Sequence, residues 1–233
     1  MVGVVLLVIV AAGAVAIFGY IQSEKARQAR AEALERVGPK PTLAPDGDAY
    51  DDVRTLPFAL FDEGERRRAG DVLAGSANDL AIRIFDYEYE TTRTTTSTDA
   101  NGHTQTSTTT DTTEFTCAVA DLPGRWPHVR IGRESFFGTI GNALGFRDIE
   151  VPNSPEFNSA FKVRCADDSE FALRLLQPDL AQFILDAQGL KEIECNERWL
   201  LVGWERLDEE HHDALAGWVA KFRSLVPPGL LTS

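Results

Sequence analysis

The sequence predicts an α+β protein: an N-terminal transmembrane helix, then a mainly antiparallel sheet with a long projecting β-hairpin and about three packed helices. Three observations carry this reading. Val2–Ile21 holds twenty residues without a charge, and a helix of that length at ~1.5 Å per residue covers ~30 Å, the hydrocarbon core of a bilayer. Short β-branched and aromatic runs follow, joined by Gly, Pro, Asn and Asp turn signals. Near the end, Leu215, Trp218, Val219 and Phe222 form an i, i+3, i+4, i+7 helical stripe.

The first 21 residues are read as a retained transmembrane anchor, because no basic segment precedes the apolar run as in a cleaved signal. Lys25, Arg27 and Arg30 flank it downstream, with Arg36 and Lys40 beyond. The positive-inside rule then places the bulk of the chain in the cytoplasm of a single-pass protein at the cell membrane. Residues 22–37, rich in Ala, Glu, Arg and Lys, read as a solvated helical stalk. Gly38-Pro39 stops it, and residues 38–55 read as a linker. Residues 22–40 carry a net +2 and the remainder −15, out of a total of −13. So acidic a body argues against phosphate-backbone binding, and no nucleic-acid partner is expected.

Residues 56–226 read as the α+β domain and 227–233 as a tail. Asp71–Ala74 and Leu80–Glu90 read as strands around the turn at Ser76–Asp79. Fourteen threonines among residues 91–116 surround Asn101-Gly102, a type I′ hairpin signal, so residues 91–113 read as a Thr-rich arm. A two-residue turn there pairs Ile84 with Val119 and Tyr87 with Thr116. Phe115–Leu122, ended by Pro123-Gly124, and His128–Ile131 are further strands. Glu134–Leu144 has helical spacing. Ile149–Val151 and Ala160–Cys165 read as strands about an Asn153-Ser154-Pro155 turn. Asp167 with Glu170 starts a helix, and Pro178 breaks or restarts it. Leu190–Cys195 and Arg198–Arg206 read as a hairpin about Asn196-Glu197. The last helix runs from Glu209 to Leu225.

Three blocks are distinctive. They are Leu56–Phe61 with Asp71–Gly75 and Phe85–Tyr89; Gly145–Val151 with Pro155–Asn158 and Phe161–Val163; and Leu200–Val202. Together they resemble an uncharacterised family of bacterial membrane-anchored proteins over residues 55–226. The resemblance implies one tethered domain and supplies no activity, cofactor or catalytic residue; the arm lies outside its pattern.

The chemistry is sparse. G-x-S-x-G, G-x-x-x-x-G-K-[ST], H-E-x-x-H and G-x-G-x-x-G are all missing from the sequence. His211 and His212 are adjacent on a helix and point ~100° apart, so they do not share a metal. Cys117, Cys165 and Cys195 lack C-x-x-C spacing and read as buried structural thiols. No catalytic, cofactor or metal residue is assigned. Asp86, Glu88 and Glu90, alternating with Phe85, Tyr87 and Tyr89, form an acidic row, and Asp86–Glu90 with both tyrosines is a candidate docking surface for a basic partner. The expectation is a bilayer-tethered, non-catalytic interaction or scaffold domain at the cytoplasmic face. The alternatives are a hydrolase or transferase using Asp86, Asp148 and Glu150, an envelope-facing domain with a modified arm, and a lipid module using Arg66–Arg68.

Overall fold

The computed structural model describes residues 20–38, 41–46, 55–98, 104–133, 146–166 and 168–231. The predicted membrane span lies almost entirely outside them, as do the predicted helix Glu134–Leu144 and the Asn101-Gly102 turn. Among the described residues no helix is long and apolar enough to cross a membrane.

The described part is α+β, built on one antiparallel sheet. Its strands are β1 (Ala44–Pro45), β2 (Glu65–Ala69), β3 (Leu73–Ala77), β4 (Leu80–Thr98), β5 (Thr104–Gly132), β6 (Arg147–Ile149), β7 (Lys162–Cys165) and β8 (Leu190–Glu205). Their order is β1-β3-β4-β5-β7-β6, with β2 on β4 and β8 on β5. The helices are α1 (residues 20–35), α2 (Pro155–Ala160), α3 (Ser169–Leu175), α4 (Pro178–Asp186) and α5 (His212–Leu225). β3 and β4 join at Asn78-Asp79, whose φ of 50° and 61° suit the positive-φ pair of a type I′ turn. Asp168 caps α3, its carboxylate accepting from Phe171 N at 2.9 Å; the capping residue is thus one later than expected.

Because side chains alternate along β4, each face serves a separate core. Leu80, Ile82 and Ile84 join Ala118, Ala120 and the buried sides of α3, α4 and α5 in the larger one. Phe85, Tyr87 and Tyr89 join Phe115, Cys117, Val119 and Leu201 in a smaller one, covered by Phe58, Leu60 and Phe61. All three cysteines are free and buried, as expected.

The hairpin register differs by one residue from the expected pairing. Ile84 faces Ala118, Phe85 faces Cys117 and Tyr87 faces Phe115, and the outermost described rung is Thr98 with Thr104. Both faces of the hairpin root are buried, so either register sets apolar on apolar, and the match of Ile84 with Val119 could not discriminate. An expected strand end and an expected hairpin turn are both bends. β5 runs through Pro123-Gly124 and β8 runs through Asn196-Glu197, paired on both sides of a register shift. Gly124 at φ 97° and Glu197 at φ 55° kink the two strands together, a bulged corner in which proline's missing N–H is tolerated.

α1 also departs from a fully solvated stalk. Ala31 and Leu34 are buried in the larger core, and a Cβ on Gly38 would lie 3.1 Å from the Gly217 carbonyl oxygen of α5. Arg27 pairs with Glu24 at 3.2 Å and Asp208 at 3.8 Å, and Arg30 with Glu205 at 2.5 Å. Within the expected linker, Ala44–Pro45 is a strand on β3.

Candidate interaction surface

β4 sorts its residues by parity. Tyr87 and Tyr89 point into the smaller core, 1% and 7% exposed, so they are not part of a docking surface. Asp86, Glu88 and Glu90 point the other way and are partly exposed. They lie on the face that the helices cover elsewhere, at the point where the sheet outruns the helical layer. The acidic row is already answered from within: Glu88 pairs with Arg68 at 3.4 Å and Glu90 with Arg66 at 3.1 Å. β2 therefore lays alternate arginines of the Arg66–Arg68 run against alternate acids of β4, and the intervening Arg67 turns back to the carbonyls of Glu63 and Gly64. Neither the acids nor the arginines form a free single-sign patch.

Asp86 has a denser environment. Thr116 Oγ1 donates to it at 2.8 Å, Arg206 Nη2 lies at 3.0 Å and the His212 ring at 3.7 Å. Burial works against its charge, but His212, Thr116 and Arg206 outweigh that and hold Asp86 below the ordinary carboxylate value. Asp86, Arg206 and His212 border a cleft of about 620 Å³ whose wall also includes Asp46, Asp71, Glu88 and Glu209. His211 turns instead toward Glu35, at 3.8 Å, so the two histidines diverge as adjacent helical residues must.

A second ionic group was not read from the sequence. Arg130 on β5 is 2% exposed. It donates to Glu192 at 2.6 Å and to Glu63 at 3.0 Å, and Glu194 lies 3.9 Å away. Tyr89 donates to Glu63 at 3.1 Å, and His128 contacts Glu194. Glu194 also accepts from the backbone N–H of Ala59 at 2.7 Å and of Leu60 at 3.3 Å. That fastens the 3-10 turn Ala59–Asp62 over the sheet. Burial pushes Glu192 up to about 8 despite Arg130, and it raises Glu63 as well. Glu192 and Glu194 alternate with the apolar Ile193 and Cys195, a two-residue period that the expected short strand could have given.

The acids of the hydrolase alternative do not converge. Asp86 lies opposite Thr116 of β5, whereas Asp148 lies opposite Arg164, itself opposite Arg130, fourteen residues further along β5. Asp148 pairs with Arg164 at 2.7 Å. Of the basic residues expected to flank a membrane, Arg27 and Arg30 are engaged with the domain, as above, and Lys25 is exposed.

The arm is the most solvated element. Residues 91–98 and 104–112 are all exposed. They carry one cation, Arg93, and one anion, Asp111. Its even-numbered face holds only threonines, in the rungs Thr92–Thr110, Thr94–Thr108, Thr96–Thr106 and Thr98–Thr104. The last three pairs bring their hydroxyls within 3.4, 3.4 and 3.3 Å. β2 pairs with β4 as far as Glu90, and β8 with β5 as far as Phe115. Beyond those points neither outer edge of the arm pairs with another strand among the described residues.

No family model matches this chain, and no curated protein matches it. The crystal structure of the mycobacterial trehalose monomycolate transport factor A, TtfA, is similar over 87% of this chain and 94% of that one, with a TM-score of 0.52 and 12% identity. At that identity the likeness is one of fold.

Proposed function

We propose that this chain is a single-pass, membrane-tethered, non-catalytic interaction domain on the cytoplasmic side of a bacterial membrane. The observation that carries the reading is the arm, eight described rungs of exposed, nearly uncharged β-ribbon projecting ~25 Å past the sheet. Such a ribbon contributes no core, and an isolated two-stranded hairpin is marginal in water. A partner strand added to either edge would complete its hydrogen bonding. The tether rests on the uncharged run Val2–Ile21, and the side on the downstream excess of Lys and Arg. The fold shared with a protein titled a transport factor supports an accessory role over catalysis.

The test is co-purification of the full-length chain from membranes, with and without residues 92–110. The expected result is a specific partner recovered by the full-length chain and lost from the armless one, at unchanged thermal stability. Equal recovery by both forms would remove the arm from the reading. Substrate turnover by the purified chain, with no partner recovered, would replace it with an enzyme.

A further inference from the structure

The two outer edges of the arm differ in what they offer another strand. The Gly70 N–H donates to the Asp86 carbonyl oxygen at 2.7 Å, so even-numbered residues of β4 turn their backbone polar groups away from β5. Asp86 lies opposite Thr116, and the ladder runs from there to Thr98–Thr104 without a register shift. Residues directly opposite share this alternation. Thr104, Thr106, Thr108, Thr110 and Thr112 therefore aim their N–H and C=O groups outward from β5. The close hydroxyls of Thr94–Thr108, Thr96–Thr106 and Thr98–Thr104 agree, because side chains approach most closely at rungs whose backbones are not bonded to each other. Among the described residues β8 covers this edge of β5 only as far as Phe115. The matching stretch of β4, residues 91–98, carries Arg93 and no acid.

The outer edge of β5 is complementary to itself. A two-fold axis normal to the ribbon through Thr108 sets Thr104 opposite Thr112, Gln105 opposite Asp111, Thr106 opposite Thr110 and Ser107 opposite Thr109 of the other copy. Outward-aimed threonines then meet outward-aimed threonines, which gives ~10 backbone hydrogen bonds across the junction. Asp111, the anion of this stretch, receives the Gln105 amide of the second copy as a donor, and Glu114 stays outside the ladder. The β4 edge supplies no acid to face Arg93 in any such pairing. We propose that the partner of the arm is a second copy of this chain, joined antiparallel along Thr104–Thr112. The inference rests on the arm being the interaction element, as proposed above, and names what it meets. Charge distribution favours it as well. Opposed arms hold the two bodies at opposite ends of a nine-residue ladder, ~30 Å apart, several Debye lengths at physiological salt. The acidic bodies of a chain with net charge −13 thus stay apart while the nearly neutral arms pair.

The test is the mass of the full-length chain in detergent micelles, by analytical ultracentrifugation over a concentration series. We expect a reversible dimer. Thr108→Pro removes an outward N–H from the β5 edge without taking a hydrogen bond from the arm itself. It should weaken the dimer roughly tenfold or more, through one lost bond from each copy. Thr94→Pro, on the opposing residue of the same rung, does the same to the β4 edge and should leave the dimer unchanged within about twofold. Register is read by mild oxidation of Gln105→Cys and Asp111→Cys chains, since the native thiols are buried. A disulfide-linked dimer should form when the two variants are mixed. Neither should link to itself, because identical positions lie ~20 Å apart. A chain that is monomeric throughout, equal weakening by both prolines, or a dimer that survives loss of residues 92–110 overturns the proposal. Self-linking of either cysteine variant as readily as the mixture overturns the register. A monomeric chain that still recovers another protein through its arm overturns the second copy alone and leaves the interaction reading standing. A monomeric chain that recovers nothing overturns both.

Discussion

Arg130 and the carboxylates around it show how little net charge this interior sustains. One guanidinium faces Glu63, Glu192 and Glu194, and burial favours the neutral form of Glu192, whose value is pushed up to about 8. Removing the cation alone should be severe. Arg130→Met leaves buried carboxylates uncompensated and should cost ~3–5 kcal/mol in urea unfolding, with part recovered by adding Glu63→Gln. A loss below ~1 kcal/mol would mean the cluster is solvated rather than buried. The pH dependence has a definite sign. A carboxyl that binds its proton more tightly in the folded state favours folding at low pH and loses that contribution as pH rises. For Glu192 the decline runs from about 4.5 to about 8. Glu192→Gln should flatten that fall in the urea midpoint, and an unchanged slope would place the proton elsewhere. Asp86 acts oppositely. Its value is lowered, so its contribution is present above ~3.9 and lost as pH falls through the folded value. Asp86→Asn should therefore flatten the acid limb.

At the scale of elements, the strongest local signals were legible and the long-range ones were not. The stripe Leu215, Trp218, Val219 and Phe222 is buried in α5, because helical spacing is a local property. Asn78-Asp79 turned the chain because both residues accept positive φ. Pro123-Gly124 and Asn196-Glu197 are equally good turn signals, yet they bend two strands that stay paired. The continuation of the ladder depends on β5 and β8 meeting across more than sixty residues, which no local pattern encodes. Arg130 was invisible for the same reason, since its three partners come from other segments. The arm register is open to direct test. Thr94→Cys with Thr108→Cys should form a disulfide on mild oxidation, and Thr94→Cys with Thr109→Cys should not; the reverse would restore the expected pairing. α1 offers a second test. Leu34 is 3% exposed, so Leu34→Ala should cost ~2–5 kcal/mol. A change within ~0.5 kcal/mol would mean a free stalk.

The whole molecule combines an acidic body, a basic segment next to the uncharged run, and a nearly neutral ribbon. The net charge of −13 repels an anionic leaflet, whereas the arm carries one charge of each sign along its described rungs. A second molecule can therefore approach the arm at the least electrostatic cost. In the account proposed here the tether fixes the domain at the membrane and the arm reaches a partner from it. Everything then turns on which side of the bilayer the arm occupies. The most direct measurement is maleimide labelling of intact cells carrying Thr106→Cys, a position exposed on the arm, while the native thiols are buried. The account predicts protection in intact cells and labelling only after the membrane is permeabilised. Labelling of intact cells would contradict it and place the domain on the envelope side.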